Sequence, residues 1–274
     1  MLKKGIRDGC FGDSLTLEEK FKLGAATGFD GIEISLPEEG EYSLESPDSK
    51  LAEIKDMSES SGLALPSMGG GIPWDYPLTD PDKAVRERGM EAMRRTIDIA
   101  ANLGVDSLLV ITARVEEGVS YKDAWEVSRA ALRELVPQAE DKGVHLLIEN
   151  VWNNFLYSPI EMARYIDEAE SDYVGAYFDC GNVVAFGYPE HWIEVLGARI
   201  GKVHIKDYIR SRRNYDGFCP LLEGDVDWKL VMPALKDSGY DDWATLEVNA
   251  YSVYPEEGVA ELSRQLDIIL AEYP

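Results

Sequence analysis

The segment VHLLIEN, residues 144–150, is a short and almost wholly apolar run that ends in a carboxylate and an amide. Such a run is typical of a strand that is buried on both faces of a parallel sheet. The stretch before it, residues 120–143, has apolar residues at helical spacing and ends at Gly143, a common helix C-cap. A helix followed directly by a buried strand predicts an α/β fold with parallel strands.

The same alternation of strand and helix recurs along the whole chain. The other strand candidates are KGIRDG from Lys4, GIEIS from Gly31, LALPSM from Leu63, SLLVIT from Ser107, VGAYFD from Val174, KVHIKD from Lys202 and WATLEV from Trp243. Eight strand–helix units in 274 residues predict a single (β/α)₈ TIM barrel, with residues 1–274 as one domain. The alternative, an open doubly wound sheet, lacks its GxGxxG turn after the first strand and a boundary for a second domain.

In each of the fifth to eighth strand candidates an ionisable residue interrupts the apolar run near the carboxyl end: Glu149 in LLIEN, Asp179 in AYFDC, His204 in KVHIKD and Glu247 in ATLEV. A charged side chain in a buried strand costs roughly several kcal/mol unless it is paired or coordinated. Functional residues of such barrels lie at the C-terminal ends of the strands. The set of four therefore predicts one metal site.

Three carboxylates and an imidazole, without a thiolate, suit a hard or borderline divalent ion. The residues predict Mn²⁺ or Mg²⁺, with Co²⁺ or Zn²⁺ as compatible alternatives. Taken singly, each residue has a structural explanation, since a strand-end Asp or Glu usually caps the next helix or pairs with a lysine. The other two histidines, His145 and His191, are expected to be structural or exposed.

The chain is strongly acidic, with a formal net charge of −24 and a sequence pI near 4.4. This charge disfavours nucleic acid and anionic membranes as partners, but one local arginine cluster would still accommodate a small phosphorylated substrate. No apolar run has the length of a transmembrane helix, and the N-terminus lacks the apolar stretch of a secretory signal. The expected location is therefore the cytoplasm.

The series IEN, FDCGN, HIKD, GDVDW and LEV, between residues 148 and 248, carries a resemblance to a known family. It resembles the xylose isomerase-like barrel superfamily, which contains the tagatose and allulose 3-epimerases and the pentulose 5-phosphate 3-epimerases. The resemblance covers essentially the whole chain. It implies a TIM-barrel isomerase or epimerase that acts on a small sugar or sugar phosphate and assembles as a homo-oligomer, a dimer or tetramer.

In the ketose 3-epimerases a Glu, Asp, His, Glu quartet binds the metal, and the resemblance implies that role for the four strand-end residues. The family's substrate-binding arginine, six residues after the metal-binding histidine, falls on Arg210. The epimerases also place a histidine three residues after the metal-binding aspartate, and Asn182 stands at that position here. The chain thus departs from the tagatose and allulose 3-epimerases, although an asparagine is still able to hydrogen-bond a sugar hydroxyl.

Moving a proton at a carbon next to a carbonyl needs a base, an acid and stabilisation of an enediolate. A metal that bridges the adjacent carbonyl and hydroxyl oxygens provides that stabilisation. Glu149 and Glu247 are expected to act on the two faces of one carbon, which gives 3-epimerisation of a ketose. Transfers on one face, between neighbouring carbons, give aldose–ketose isomerisation instead, and the same residues serve both reactions.

Further residues near the strand ends are candidates for substrate contact. Glu33 ends the second strand and is expected to contact sugar hydroxyls. Trp152, and Trp74 in the glycine-rich stretch MGGGIPWDY, are candidates for stacking on the sugar, although each is equally compatible with a place in the core. That glycine-rich stretch predicts a flexible loop over the barrel mouth. Lys206 either contacts the substrate or supports its loop through a salt bridge.

Three other functions are compatible with parts of the pattern. A lyase or dehydratase acting on a keto-sugar or keto-inositol would use a similar metal and base. An apurinic endonuclease of the same superfamily would need additional histidines and a surface suited to DNA, and this chain has three histidines in all. A non-catalytic binding protein would be expected to lose metal ligands, whereas the quartet is intact.

Overall fold

Eight parallel strands form a closed barrel, as the alternating pattern predicts. The computed structural model describes residues 2–69, 72–251 and 253–273. The barrel order is β1, β10, β7, β6, β5, β4, β3, β2, so that β1 lies between the last and the second barrel strand. The barrel strands are β1 (Lys3–Arg7), β2 (Gly31–Ser35), β3 (Met68–Gly69), β4 (Ser107–Val110), β5 (His145–Glu149), β6 (Val174–Asp179), β7 (Ile200–Ile205) and β10 (Trp243–Leu246).

Helices follow the barrel strands along the chain. Within the described ranges they are α1 (Leu17–Ala26), α2 (Asp48–Ser61), α3 (Ile72–Asp75), α4 (Lys83–Leu103), α5 (Tyr121–Lys142), α6 (Pro159–Asp167), α7 (Pro189–Leu196), α8 (Trp228–Asp237) and α9 (Pro255–Leu270). None of these helices is long and apolar enough to cross a membrane.

The helix termini follow the sequence signals. Thr16 and Glu19 form a reciprocal capping box at the start of α1, because each side chain bonds the other residue's backbone N–H. Gly104 ends α4 in the left-handed conformation, with φ of 76°, which glycine adopts without strain because it has no Cβ. These local signals fix where each helix turns back towards the next strand.

The residues fall into two compact units by their internal contacts. The first comprises Met1–Ile34, Met57–Pro66 and Phe178–Pro274, and the second comprises Ser35–Asp56 and Ser67–Tyr177. In the first unit the fully buried side chains include Ile6, Ile32 and Leu246. In the second unit Leu109, Ile111, Leu147 and Tyr177 form one buried apolar cluster.

Two features differ from the strand pattern of the sequence. The third strand is shorter than the predicted run from Leu63, since only Met68–Gly69 forms β3 and an isolated bridge pairs Ala64 with Gly31. Pro66 lies between them and has no N–H to give to a ladder, which accounts for the interruption. After the third strand, Gly70 and Gly71 of the expected flexible loop lie outside the described residues, and α3 follows them.

A short antiparallel pair, which the strand pattern did not predict, follows β7. Its strands are β8 (Asp207–Tyr208) and β9 (Phe218–Cys219), with Asp207 opposite Cys219. Both strands have two residues and are too short to produce an alternating signal in the sequence.

Candidate metal centre and active site

The four strand-end residues come together as the sequence pattern predicts. Glu149 and Asp179 are the last residues of β5 and β6, His204 is next to last in β7, and Glu247 directly follows β10. Each offers one ligand atom, and these atoms all lie within 4.8 Å of one another. A group of this size and composition could hold one divalent ion.

The charges around His204 support this assignment. Glu33, a further carboxylate, is completely buried beside the ring of His204, so four acidic side chains surround one imidazole. Among the described residues, Arg7 and Lys206 pair with this group. Carboxylates held close together in a buried place repel one another, and a divalent cation would offset that repulsion. The donor set therefore fits a metal ion.

The orientation of His204 matches that of a metal-binding imidazole. Its Nε2 atom lies 3.1 Å and 3.3 Å from the two carboxylate oxygens of Glu33. Its Nδ1 atom lies 3.4 Å from Oε2 of Glu247 and 3.9 Å from Oδ2 of Asp179. If Nε2 donates its proton to Glu33, the lone pair of Nδ1 faces the other carboxylates, as metal coordination requires.

Glu247 is held by two cations as well as by the imidazole. Nζ of Lys206 donates to its Oε2 at 2.7 Å, and Nη1 of Arg7 pairs with its Oε1. Burial raises the pKa of Glu247, but Lys206, His204 and Arg7 outweigh this effect and hold the pKa well below its usual range. Glu247 is therefore an ionised carboxylate, able to bind a metal or to accept a proton.

Arg7 is the residue of this centre that the sequence interpretation missed. It ends β1, and its Nε atom lies 3.7 Å from Oε1 of Glu33 while its Nη1 atom pairs with Glu247. The signal was available, because Arg7 is a charged residue at the end of the run KGIRDG and obeys the same strand-end rule as the four ligand candidates.

A cavity of about 380 Å³ opens beside Glu247. Arg7 and Lys206 line it together with Tyr215, Phe218 and Cys219. Its volume is within the range of pockets that bind small molecules. The cavity thus joins two cations, a carboxylate and aromatic side chains, which is a suitable lining for a polyhydroxylated ligand.

The residues predicted to contact the substrate lie in different parts of the structure. Asn182 is buried, and its backbone N–H donates to Oδ1 of Asp179 at 2.7 Å, so this position supports a ligand candidate. Arg210 lines a separate cleft, where Nη2 donates to the carbonyl of Gly187 at 2.9 Å and the guanidinium lies 4.5 Å from the ring centroid of Tyr188.

The two tryptophans lie in the second unit. Trp74 is part of α3 and packs, partly buried, against the apolar cluster around Tyr177. Trp152 is half-buried in the segment that follows β5. The two remaining histidines are structural, as expected: His145 stacks on Tyr173 with ring centroids 4.6 Å apart, and His191 is exposed.

Comparison with known proteins agrees with the fold. The family described as "Xylose isomerase-like TIM barrel" matches residues 21–268. A curated relative, "L-ribulose-5-phosphate 3-epimerase UlaE" of Escherichia coli O157:H7 (strain EC4115 / EHEC), is 27% identical over 282 residues, which cover 99% of this chain and 96% of that protein. UlaE of Escherichia coli (strain SE11) shows the same identity and coverage.

Solved structures show the same architecture. A crystal structure of D-psicose 3-epimerase in the presence of D-fructose superposes with a TM-score of 0.79 at 18% identity, over 98% of this chain and 97% of that one. A structure of L-ribulose 3-epimerase gives 0.78 at 24% identity, over 100% and 95%. The named relatives are epimerases, and epimerases are isomerases, so the resemblance drawn from the motifs is confirmed. This chain belongs to the xylose isomerase-like TIM barrel family.

Proposed function

We propose that this protein is a divalent-metal-dependent sugar epimerase that inverts C3 of a ketose or ketose phosphate through an enediolate. The observation that carries the proposal is the convergence of Glu149, Asp179, His204 and Glu247, whose ligand atoms lie within 4.8 Å of one another. The cavity beside Glu247 adds a place for the sugar. The UlaE relatives, named for L-ribulose 5-phosphate, make a ketopentose phosphate the first substrate to test.

The four residues would hold Mn²⁺ or Mg²⁺, with Co²⁺ or Zn²⁺ also suited to the donor set. When bound, the ion supplies Lewis acidity to the carbonyl and hydroxyl oxygens of the substrate. Asp179 and His204 would be mainly ligands. Glu33 orients His204 through the contact at Nε2.

The proton transfers fall to Glu149 and Glu247. Glu247 is kept ionised by Lys206 and Arg7, so it is ready to take the proton from C3. Glu149, which enters this step protonated, gives its proton to the other face and is left ionised, while Glu247 keeps the proton from C3; the centre is thereby inverted. In the reverse direction the two glutamates exchange these roles.

The proposal also covers the substrate contacts, the location and the assembly of the protein. Asn182, Arg210, Trp74, Trp152, Glu33 and Lys206 are the proposed contacts and supports of the sugar. We also propose that the protein works in the cytoplasm, as a dimer or tetramer, on a small molecule and not on nucleic acid or a membrane.

The test is proton NMR in D₂O of the Mg²⁺-loaded protein with L-ribulose 5-phosphate, L-ribulose and D-psicose. We expect deuterium to enter at C3, and we expect Glu149→Gln and Glu247→Gln to slow this exchange by about 100-fold or more. Glu261→Gln is the matched control, because Glu261 is on α9 and pairs with Arg264. The Mg²⁺ affinity of each variant, measured by calorimetry, separates loss of metal from loss of proton transfer.

Other products would contradict the proposal. Deuterium at C1, together with an aldose, would identify an aldose–ketose isomerase. Loss of a β-hydroxyl with a dehydrated product would identify the lyase alternative. Absence of exchange with every sugar, in protein that has bound Mg²⁺, would count against the whole assignment.

A further inference from the structure

The segment between β7 and α8 forms one wall of the cavity beside Glu247. Tyr215, Phe218, Cys219 and Pro220 all line that cavity and all belong to this segment. Nζ of Lys206 lies 4.5 Å from the ring centroid of Phe218, so the wall is in contact with a residue that pairs with Glu247. A shift of this wall would change the space that the cavity offers to a ligand.

The backbone of this wall is hydrogen-bonded to a single buried carboxylate. Asp207 has no exposed surface, and its Oδ1 accepts backbone N–H bonds from Tyr208 at 2.8 Å and Val226 at 3.3 Å. Its Oδ2 accepts two more, from Leu222 at 3.0 Å and Gly224 at 3.2 Å. One side chain at the start of the segment thus satisfies four backbone donors, three of them from its far end.

The backbone at Gly224 and Asp225 approaches Asp207 and Tyr208 closely. A Cβ atom at Gly224 would overlap Oδ1 of Asp207, so only glycine permits this approach. The backbone N–H of Asp225 donates to the carbonyl of Tyr208 at 2.9 Å, which closes the segment at the same place. Burial raises the pKa of Asp207, although the four N–H bonds oppose this effect.

We propose that Asp207 is a positioning residue for the sugar: it fixes the wall that carries Tyr215 and Phe218 and so sets the affinity for the substrate, without binding the metal or transferring a proton. The inference rests on the proposed function for its substrate, but its structural part does not. Replacing the carboxylate by an amide turns an acceptor into a donor that faces buried N–H groups. An unsatisfied buried donor is costly, and this cost favours a displaced wall.

Cys219 provides a direct probe of the wall. It is on β9 and is partly exposed, whereas Cys10 and Cys180 are buried. A thiol reagent should therefore label Cys219 first, and Cys219→Ser identifies its share of the signal. A displaced wall exposes Cys219 more fully and accelerates labelling, irrespective of any catalytic activity. Removing the charge of Asp207 also lowers the pKa of this thiol, so Gly224→Ala, which keeps the carboxylate, is the variant whose labelling rate reports the position of the wall alone.

The experiment compares Asp207→Asn with wild type in four measurements: the labelling rate of Cys219 by iodoacetamide, the Mg²⁺ affinity, and KM and kcat for the ketose that wild type turns over. We expect labelling to be about tenfold faster and KM about tenfold higher, with kcat and Mg²⁺ affinity nearly unchanged. Asp242→Asn is the matched control, because Asp242 pairs with Lys202 on β7, away from the wall. It should leave all four quantities as in wild type.

Gly224→Ala is the second variant, because it displaces the wall while it keeps the Asp207 carboxylate, and it should give the same signature if Asp207→Asn does not fold. Wild-type labelling and KM in either folded variant would overturn the inference, as would an equal change in Asp242→Asn. A fall in Mg²⁺ affinity would mean that Asp207 acts through the ligand set. If wild type turns over no sugar, the proposed function fails, while the labelling rates still decide whether Asp207 holds the wall.

Discussion

Nε2 of His204 lies 3.1 Å from Oε1 of Glu33, and both side chains are completely buried. The two residues are on β7 and β2, and no local pattern in the sequence joins them. The contact selects the ring orientation in which Nδ1 faces Asp179 and Glu247. Glu33 thereby prepares the imidazole for a metal, although it is not one of the four ligand candidates.

The first prediction concerns Glu33. Glu33→Gln keeps a hydrogen-bond acceptor near Nε2 but removes the charge that fixes the tautomer, so Mg²⁺ and Mn²⁺ should bind about 10-fold or more weakly. Calorimetric titration measures this change directly, with Glu261→Gln as the control for loss of a carboxylate elsewhere. Equal affinity in Glu33→Gln and wild type would show that the contact does not tune the site.

The second prediction concerns Lys206. Its ammonium lies 2.7 Å from Oε2 of Glu247 and 3.6 Å from Oδ2 of Asp179, and a divalent cation would share these oxygens with it. Lys206→Met removes the competing charge, and we expect about tenfold tighter binding of Mn²⁺ together with a loss of sugar turnover. Lys22→Met is the control, since Lys22 is exposed and pairs with Glu18. Weaker Mn²⁺ binding in Lys206→Met would contradict the prediction.

The third prediction concerns the pH dependence of Cys219. Burial raises the pKa of its thiol to about 11. Because the thiolate is the reactive form, alkylation of Cys219 should accelerate about tenfold for each pH unit between 8 and 10, without a plateau in that range. Rates of iodoacetamide labelling, corrected with Cys219→Ser, measure the profile. A plateau near pH 9 would indicate an ordinary, solvent-exposed thiol.

The fourth prediction concerns domain organisation. We propose that residues 1–274 form one domain, so urea should unfold the chain in one transition. Each of the two compact units contains three of the six tryptophans, which makes fluorescence sensitive to both. Fluorescence and far-UV circular dichroism should therefore give coincident curves. Separate midpoints for the two probes would show two independently stable parts.

The cluster of four metal-ligand candidates was predictable because its residues are unusual in buried strands. Glu149, Asp179 and His204 each interrupt an apolar strand, and burying a charge there is costly unless the charge is paired or coordinated. The barrel followed from eight repeats of one pattern, and its third strand was overestimated because Pro66 interrupts the ladder. These inferences needed only local sequence.

Other features of the candidate site were not predictable, because they depend on contacts between segments that are distant in the sequence. Arg7 and Glu247 are paired across 240 positions, and only the meeting of β1 with β10 brings them together. The four N–H bonds to Asp207 involve backbone atoms up to 19 residues away, whose directions no side-chain pattern encodes. Arg210 has the spacing of the family's substrate-binding arginine, yet its guanidinium bonds to Gly187, which spacing alone does not specify.

The pairing of β1 with β10 also bears on the order of events during synthesis. Glu247 follows the last barrel strand, and its partner Arg7 ends the first, so one ion pair joins the two strands that close the ring. While β10 is still inside the ribosomal tunnel, the nascent chain has no fourth ligand candidate and Arg7 has no Glu247 to hold. Assembly of the four ligand candidates is therefore coupled to closure of the ring, because a chain that lacks β10 and the residue after it offers only three of them.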